Sequence, residues 1–224
     1  CGSCEANCPS GVKIMEVFME AREIVYAYIG LHPLKKIIFR TLLATPTVFN
    51  LAMRVGAPMQ GLIFRKSKDA QGTVCAPLLN FMLGDRHIHA LAKKPLHAMY
   101  GDLDEPRQMG GLRVAFFPGC VADKMYTRMG DACIRVLHHH GVAIYMPSGF
   151  ACCGIPALSS GDAKGMVKEM KINLALLEDM SFDYLLTPCG SCTSTIKELW
   201  PRYAERLGAI EKGLAQRLAA RTMD

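Results

Sequence analysis

Eight of the ten cysteines fall into two groups whose spacing is that of a site for chemistry. Cys1, Cys4 and Cys8 open the chain as C-G-S-C-E-A-N-C-P, and a later set comprises Cys120, the adjacent pair Cys152 and Cys153 before Gly154, and the C-G-S-C of Cys189 and Cys192. Thiolates so spaced form disulfides, bind zinc or hold iron–sulfur clusters. Disulfides belong to oxidising compartments and to short, loop-rich domains. This chain has 224 residues, and neighbours such as Cys152 and Cys153 pair poorly with each other. A reducing, cytosolic setting is the expectation.

The first group has the spacing C-x2-C-x3-C-P, the tail of the bacterial ferredoxin run in which the last cysteine serves a second cluster. On that reading Cys1 and Cys4 serve one 4Fe–4S cluster and Cys8, held by Pro9, serves its partner. In the second group, 31 residues separate Cys120 from Cys152 and 35 separate Cys153 from Cys189. Five sulfurs exceed the tetrahedral set of a single zinc ion, so a multi-iron cluster is favoured, with a structural zinc site using four of them as the alternative. Gly119, Gly154 and Gly190 stand beside these cysteines, where close backbone approach to a bulky inorganic core requires small residues.

Elements that position these residues are readable from periodicity. From Val12 to Ala27, Ile14, Met15, Val17, Phe18, Ala21, Ile24 and Val25 recur at helical spacing, with Lys13, Glu16, Glu20 and Glu23 on the other face. Pro33, Pro46 and Pro58 punctuate a cationic, apolar stretch, and each is a candidate helix start. Residues 66–112 read as irregular, with an exposed linker around Asp102–Glu105 and a boundary near Gly110–Gly111. Beyond it, Leu112–Phe117, Val142–Met146 and Tyr184–Thr187 read as strands. Asp123–His140, Asp162–Met180 and Thr193–Leu207 read as helices. Alternating strand and helix predicts an α/β fold with a small parallel sheet covered by helices, at whose carboxyl edge the three loops of the second cysteine group meet. Cys192, abutting a helix start near Thr193, is the expected thiolate.

Composition narrows the function classes. Half the residues are hydrophobic and the net charge is +6, but Lys and Arg are scattered, without an aromatic-interleaved basic patch, so a nucleic-acid partner is disfavoured. The charge-free, apolar stretch Thr41–Met53 has 13 residues, short of the ~20 a membrane-spanning helix needs. The cationic helices after residue 30 fit either a lipid surface or a neighbouring domain. No glycine-rich nucleotide loop and no Ser/His/Asp arrangement is present. His138–His140 fit a helix end, Cys133 fits a core face, and Cys75 has no assigned role. Asp123 and Lys124 follow Cys120 closely without a defined part in the site.

The pattern Cys120…Cys152-Cys153-Gly154…Cys189-x2-Cys192 resembles the cysteine-rich CCG domain found in heterodisulfide reductase, in anaerobic glycerol-3-phosphate dehydrogenase, and in the iron–sulfur subunits of glycolate and lactate oxidases. The strings F-F-P-G-C, A-C-C-G-I-P-A-L-S-S-G-D and T-P-C-G-S-C-T-S-T are similar to the glycolate/lactate oxidase type, as is C-P-S-G-V at residues 8–12. The resemblance implies a ferredoxin-type helical region over residues 1–30, a connecting helical region over 31–110, and a Rossmann-like CCG domain over 111–224, the first of a pair in a longer protein. It implies metal ligation by Cys1, Cys4, Cys8, Cys120, Cys152, Cys153, Cys189 and Cys192, with 4Fe–4S clusters of ferredoxin type and a further 4Fe–4S cluster at the CCG motif, which in heterodisulfide reductase is non-cubane. The implied role is electron transfer from a flavoprotein partner that oxidises a 2-hydroxy acid to a membrane quinone, in the cytoplasm or on the inner face of the cytoplasmic membrane. The alternative is a thiol–disulfide reductase in which the CCG cluster is catalytic.

Overall fold

The computed structural model describes residues 3–66, 74–77, 88–179 and 181–224, so Cys1 and the expected helix end at Met180 lie outside the described residues. The main sheet has five strands in the order β4-β6-β5-β7-β8. They are β4 (Leu103–Asp104), β5 (Arg113–Phe116), β6 (Ala143–Met146), β7 (Tyr184–Leu186) and β8 (Thr222–Met223). Strands β6, β5 and β7 run parallel, Val114 lying opposite both Ile144 and Tyr184. β8 also runs parallel to β7, while β4 closes the far edge antiparallel to β6. The sheet is therefore mostly parallel. The segment expected as an exposed linker supplies its antiparallel edge instead, too short to show a period in the sequence.

Alternation along β5 sorts side chains to two cores, as the strand period of two requires. Val114 and Phe116 pack with Leu96, Ile134, Ile144 and Met146 on one face. Ala115 and Phe117 join Met166, Leu174, Leu185, Trp200 and Leu218 on the other. Both sets are almost wholly buried.

Helices depart from expectation at their ends. The stretch read as one helix from Asp123 is two, Gly119–Lys124 and Thr127–His139. The helix expected at Thr193 begins at Gly190, passes through a π-turn at Thr195–Leu199, and resumes at Trp200–Tyr203, where Pro201 sits in the first turn. Ala209–Arg221 forms a further helix that apolar periodicity does not mark. Part of the stretch read as irregular pairs as a small antiparallel sheet of β1 (Phe64–Lys66), β2 (Val74–Pro77) and β3 (Ile88–His89).

Near the amino terminus are α1 (Ser3–Ala6), α2 (Ile14–Ile29), α3 (Pro33–Ile37) with a π-turn at Ile38–Leu42, and α4 (Pro46–Ile63). Pro33 and Pro46 open helices as expected, whereas Pro58 lies inside α4. α2 faces the main sheet domain with its charged side. Glu23 accepts from Arg206 at 2.7 and 3.0 Å, Glu20 pairs with Arg202, and Arg22 donates to the Ser159 carbonyl at 3.0 Å. Met15 and Met19 reach the core, but Val17, Phe18, Ile24 and Val25 of the apolar stripe point to solvent. From the π-turn, Arg40 grips the fully buried Asp162 through Nη2 at 2.7 Å and Nε at 2.9 Å, and donates to the Tyr26 hydroxyl at 2.9 Å.

Candidate metal centre

Because β5, β6 and β7 are parallel neighbours, the loops leaving their carboxyl ends emerge on one edge, where ligands collect in such sheets. Each loop delivers cysteines: Cys120 after β5, Cys152 and Cys153 after β6, Cys189 and Cys192 after β7. Cys152 Sγ lies 3.8 Å from Cys120 Sγ and hydrogen-bonds to it. Cys153 neighbours both Cys152 and Cys192, and Cys192 in turn neighbours Cys189. All five sulfurs of the second group thus form one row. Cys152, Cys153 and Cys192 are buried, and Cys120 and Cys189 are half-buried.

Acidity alternates along this row. Hydrogen bonds from Cys152 and Cys192 hold the Cys153 thiol well below its usual range despite burial, with help from the Ile155 N–H and Thr195. The bond from Cys152 likewise lowers Cys120. Cys189 is lowered to about 6, first by the bond from Cys192, then by the backbone N–H groups of Cys192 and Ser191, against burial. Cys152 and Cys192, each buried and holding its single thiol proton between two neighbouring sulfurs, are pushed up. The expected thiolate at Cys192 is corrected on this point. The helix starts at Gly190, so Cys189 occupies the N-cap position, beside the backbone N–H groups that lower its pKa.

Buried side chains hold the paired-cysteine loop. Asn173 donates Nδ2–H to the Cys152 carbonyl at 2.9 Å and accepts the Ala151 N–H at 2.8 Å. Trp200 donates its indole N–H to the Cys153 carbonyl at 2.9 Å. Phe117 stands edge-on to Phe150 at 4.9 Å and to Trp200 at 6.3 Å. At Gly119 (φ +64°) a Cβ would lie 2.9 Å from Cys192 Sγ, so the expected close approach is present there. Gly154 (φ +97°) is crowded by Met166, and a Cβ at Gly190 would meet no protein atom within 4 Å.

Two features carry no signal in the sequence pattern. Glu169 is fully buried and neither carboxylate oxygen has a hydrogen-bond partner. Burial first, and then the negative charge of Cys153 and Cys120, push its pKa up to about 9, so it is a neutral acid at pH 7. Cys120 and Cys152 also border a cavity lined by Phe49, His97, Lys124 and Phe150. There the buried Lys124 ammonium bonds to Asn50, Asp123 and His97 Nδ1, the last at 2.9 Å, and lies over the Phe49 ring. Burial lowers the Lys124 pKa against the opposing pull of Asp123 and Cys120. That Asp123 and Lys124 follow Cys120 by one helical turn is the only hint of this cavity in the sequence. Their partners are 26 to 74 residues away.

The first cysteine group sits at the amino end of α2. Cys4 is exposed in α1, and Cys8 is half-buried with its Sγ accepting the Val12 N–H at 3.4 Å. Glu5 accepts the Met15 N–H at 3.0 Å, fixing this turn to α2. Cys133 packs against the second core, and His138 pairs with Glu105 at 2.8 Å.

The donor set fits a thiolate-held inorganic core. It is all sulfur, largely buried, drawn from three loops, and walled by a glycine where a side chain would strike Cys192. Among the described residues no three His, Cys, Asp or Glu side chains are grouped to hold a single metal ion.

Comparison with known proteins agrees with this geometry. Residues 114–197 match the family described as CCG, cysteine-rich domain. The chain is 29% identical to a probable glycolate oxidase iron–sulfur subunit of Bacillus subtilis, over 96% of this chain and 50% of that protein. It is 34% identical to lactate utilization protein A of Geobacillus thermodenitrificans, over 47% of each. It is 32% identical to a fumarate reductase (CoM/CoB) subunit of Methanothermobacter marburgensis, over 51% of this chain and 23% of that protein. The chain spans half or less of the length of these relatives. No solved structure matches it. Residues 114–197, with five cysteines on one sheet edge, are a CCG cysteine-rich domain.

Proposed function

We propose that this chain is part of an iron–sulfur electron-transfer subunit of a flavin-dependent 2-hydroxy-acid oxidoreductase of the glycolate or lactate type. The observation that carries this reading is the gathering of Cys120, Cys152, Cys153, Cys189 and Cys192 into one buried row. The names of the Bacillus and Geobacillus relatives supply the substrate class. Those five cysteines would hold a 4Fe–4S cluster, in a non-cubane form, and Cys1, Cys4 and Cys8 would serve ferredoxin-type clusters. Bound there, the clusters supply reversible one-electron storage.

The protein's own residues do the rest. Asn173 and Trp200 fix the loop that carries the paired cysteines. Phe117, Phe150 and Trp200 exclude water from one side of the row. Lys124 places a buried positive charge near Cys120, and Glu169 adds a dipole without a charge. Low polarity and these fixed charges are the levers that set a cluster potential. Residues 1–30 form the end of a ferredoxin-type domain, 31–110 connect it, and 111–224 hold the Rossmann-like CCG unit. The docking of α2 on the CCG side through Arg202 and Arg206 supports a fixed relation between the two cysteine groups. Electrons would pass from a flavoprotein partner toward a membrane quinone, at the cytoplasmic face.

A second reading is favoured by the cavity beside Cys120 and Cys152. A thiol–disulfide reductase would admit its disulfide there, and one relative carries CoM and CoB in its name. The test is anaerobic EPR of the cluster-loaded, full-length protein. Reduction by a 2-hydroxy acid with the flavoprotein partner supports electron transfer. Signals that answer only to a disulfide support the second reading, and zinc without iron overturns both.

A further inference from the structure

Helix α4 is mounted inside out. A surface helix ordinarily buries its apolar stripe and exposes its polar face. Here the polar side chains turn inward. Asn50 bonds to Lys124, and Gln60 both donates to the Leu91 carbonyl at 3.1 Å and accepts the Leu91 N–H at 2.9 Å. Phe49 lies under the Lys124 ammonium and Ala57 is buried on the same side. The outward stripe is Val48, Leu51, Val55, Met59 and Leu62, with Leu51, Val55 and Leu62 exposed by 62%, 54% and 73%. These positions recur three, four, four and three residues apart, which places them in one line along a helix of 18 residues, about 27 Å long.

Charge identifies what covers this stripe. Between Glu23 and Asp69 the sequence holds seven Lys and Arg, and no Asp or Glu. Arg54 stands exposed between Leu51 and Val55, and Lys35 and Lys36 of α3 are exposed beside the exposed Leu34 and Ile37. No helix among the described residues is long and apolar enough to cross a membrane, so the stripe is not one side of a span. An apolar line with an exposed arginine beside it, in a stretch of sequence that carries seven cations and no acid, on a helix held to its own domain by polar contacts, is the arrangement of a helix lying in a lipid interface.

We propose that the outward face of α4 docks on an anionic phospholipid surface, Leu51, Val55 and Leu62 entering the interface while Arg54 and the lysines of α3 meet headgroup phosphates. The charge complementarity favours lipid phosphate, and a stripe one residue wide suits a fluid surface better than the broad packed core of a protein interface. The attachment does not depend on the electron-transfer reading, because lipid binding is measured without turnover.

The test is cosedimentation of the full-length, cluster-loaded protein with phosphatidylcholine vesicles, with and without about a quarter phosphatidylglycerol. Binding to the anionic vesicles alone is expected, weakening several-fold at about 0.5 M salt. Leu51→Glu with Val55→Glu should lower it by about ten-fold or more, with thermal melting and iron content unchanged. Val136→Glu, at an exposed apolar position in the CCG domain, should bind as the parent does. Should the double variant fail to fold, Arg54→Gln carries the same test through a reduced preference for the anionic vesicles. Equal binding to both vesicle types, no binding to either, or parent-level binding by the variants overturns the proposal. Loss of a protein partner by the double variant without any vesicle binding makes the face a protein interface and overturns it too.

Discussion

Trp200 donates its indole N–H to the carbonyl of Cys153 at 2.9 Å, tying the start of a helix to the loop that carries two of the five clustered cysteines. Asn173, equally buried, does the same for Cys152. Neither bond belongs to a helix or strand ladder. The loop's geometry therefore depends on these two side chains.

Trp200→Phe keeps most of the packing and leaves the Cys153 carbonyl without its donor, which should cost about 1–3 kcal/mol. Asn173→Leu strands both the Ala151 N–H and the Cys152 carbonyl and should cost more than Trp200→Phe. Denaturant unfolding of the metal-free chains measures both, and iron content should fall in the same order.

Gly119 and Gly190 flank cysteines alike in sequence but differ in what a methyl group would meet. Gly119→Ala forces a side chain into left-handed backbone, worth about 1–2 kcal/mol, and against Cys192 Sγ. Gly190→Ala meets open space inside a helix and should stay within about 0.5 kcal/mol of the parent. The first should lose most of its iron while the second retains it.

Arg40 and Arg202 both anchor the amino-terminal helices, at unequal depth. Arg40→Ala leaves the fully buried Asp162 carboxylate without its cation and should destabilise by about 3 kcal/mol or more. Arg202 pairs with Glu16 and Glu20 at the surface, so Arg202→Ala should cost under about 1 kcal/mol. Comparable losses from both would contradict the assignment of burial.

Glu169 gives stability a pH dependence of definite sign. Its folded pKa, near 9, lies above its unfolded value, so the folded state holds the extra proton between the two. The stabilisation is complete at acid pH and falls as pH rises toward 9, by at most about 1.4 kcal/mol per pH unit. Glu169→Gln removes this slope. Unfolding of the metal-free parent and variant at pH 6 and pH 8 should show a gap that widens with pH in favour of the variant.

The main strands and the convergence of Cys120, Cys152, Cys153, Cys189 and Cys192 were legible because strand–helix alternation and cysteine spacing are local signals. The α4 inversion was not. Its period gives one apolar stripe, but only tertiary contacts of Asn50 and Gln60 decide which side faces out. For the same reason α2 turns Glu20 and Glu23, rather than Phe18 and Ile24, toward the rest of the molecule. Glu169 was hidden within an ordinary helical pattern, since a carboxylate looks solvated until its surroundings are known. The helix end at Asp162 is set by a side chain that itself caps, accepting the Gly165 N–H.

Iron and sulfide content with low-temperature EPR of the anaerobically purified full-length protein, compared between Cys153→Ser and Cys133→Ser, bears most directly on the five-cysteine row. Cys153 lies at the middle of the row, whereas Cys133 packs against the opposite core. The expected result is loss of one cluster's iron and its EPR signal in Cys153→Ser, with Cys133→Ser like the parent. Unchanged iron and signal in Cys153→Ser, or a parent protein that carries zinc and no iron, would contradict a cluster held by this edge of the sheet.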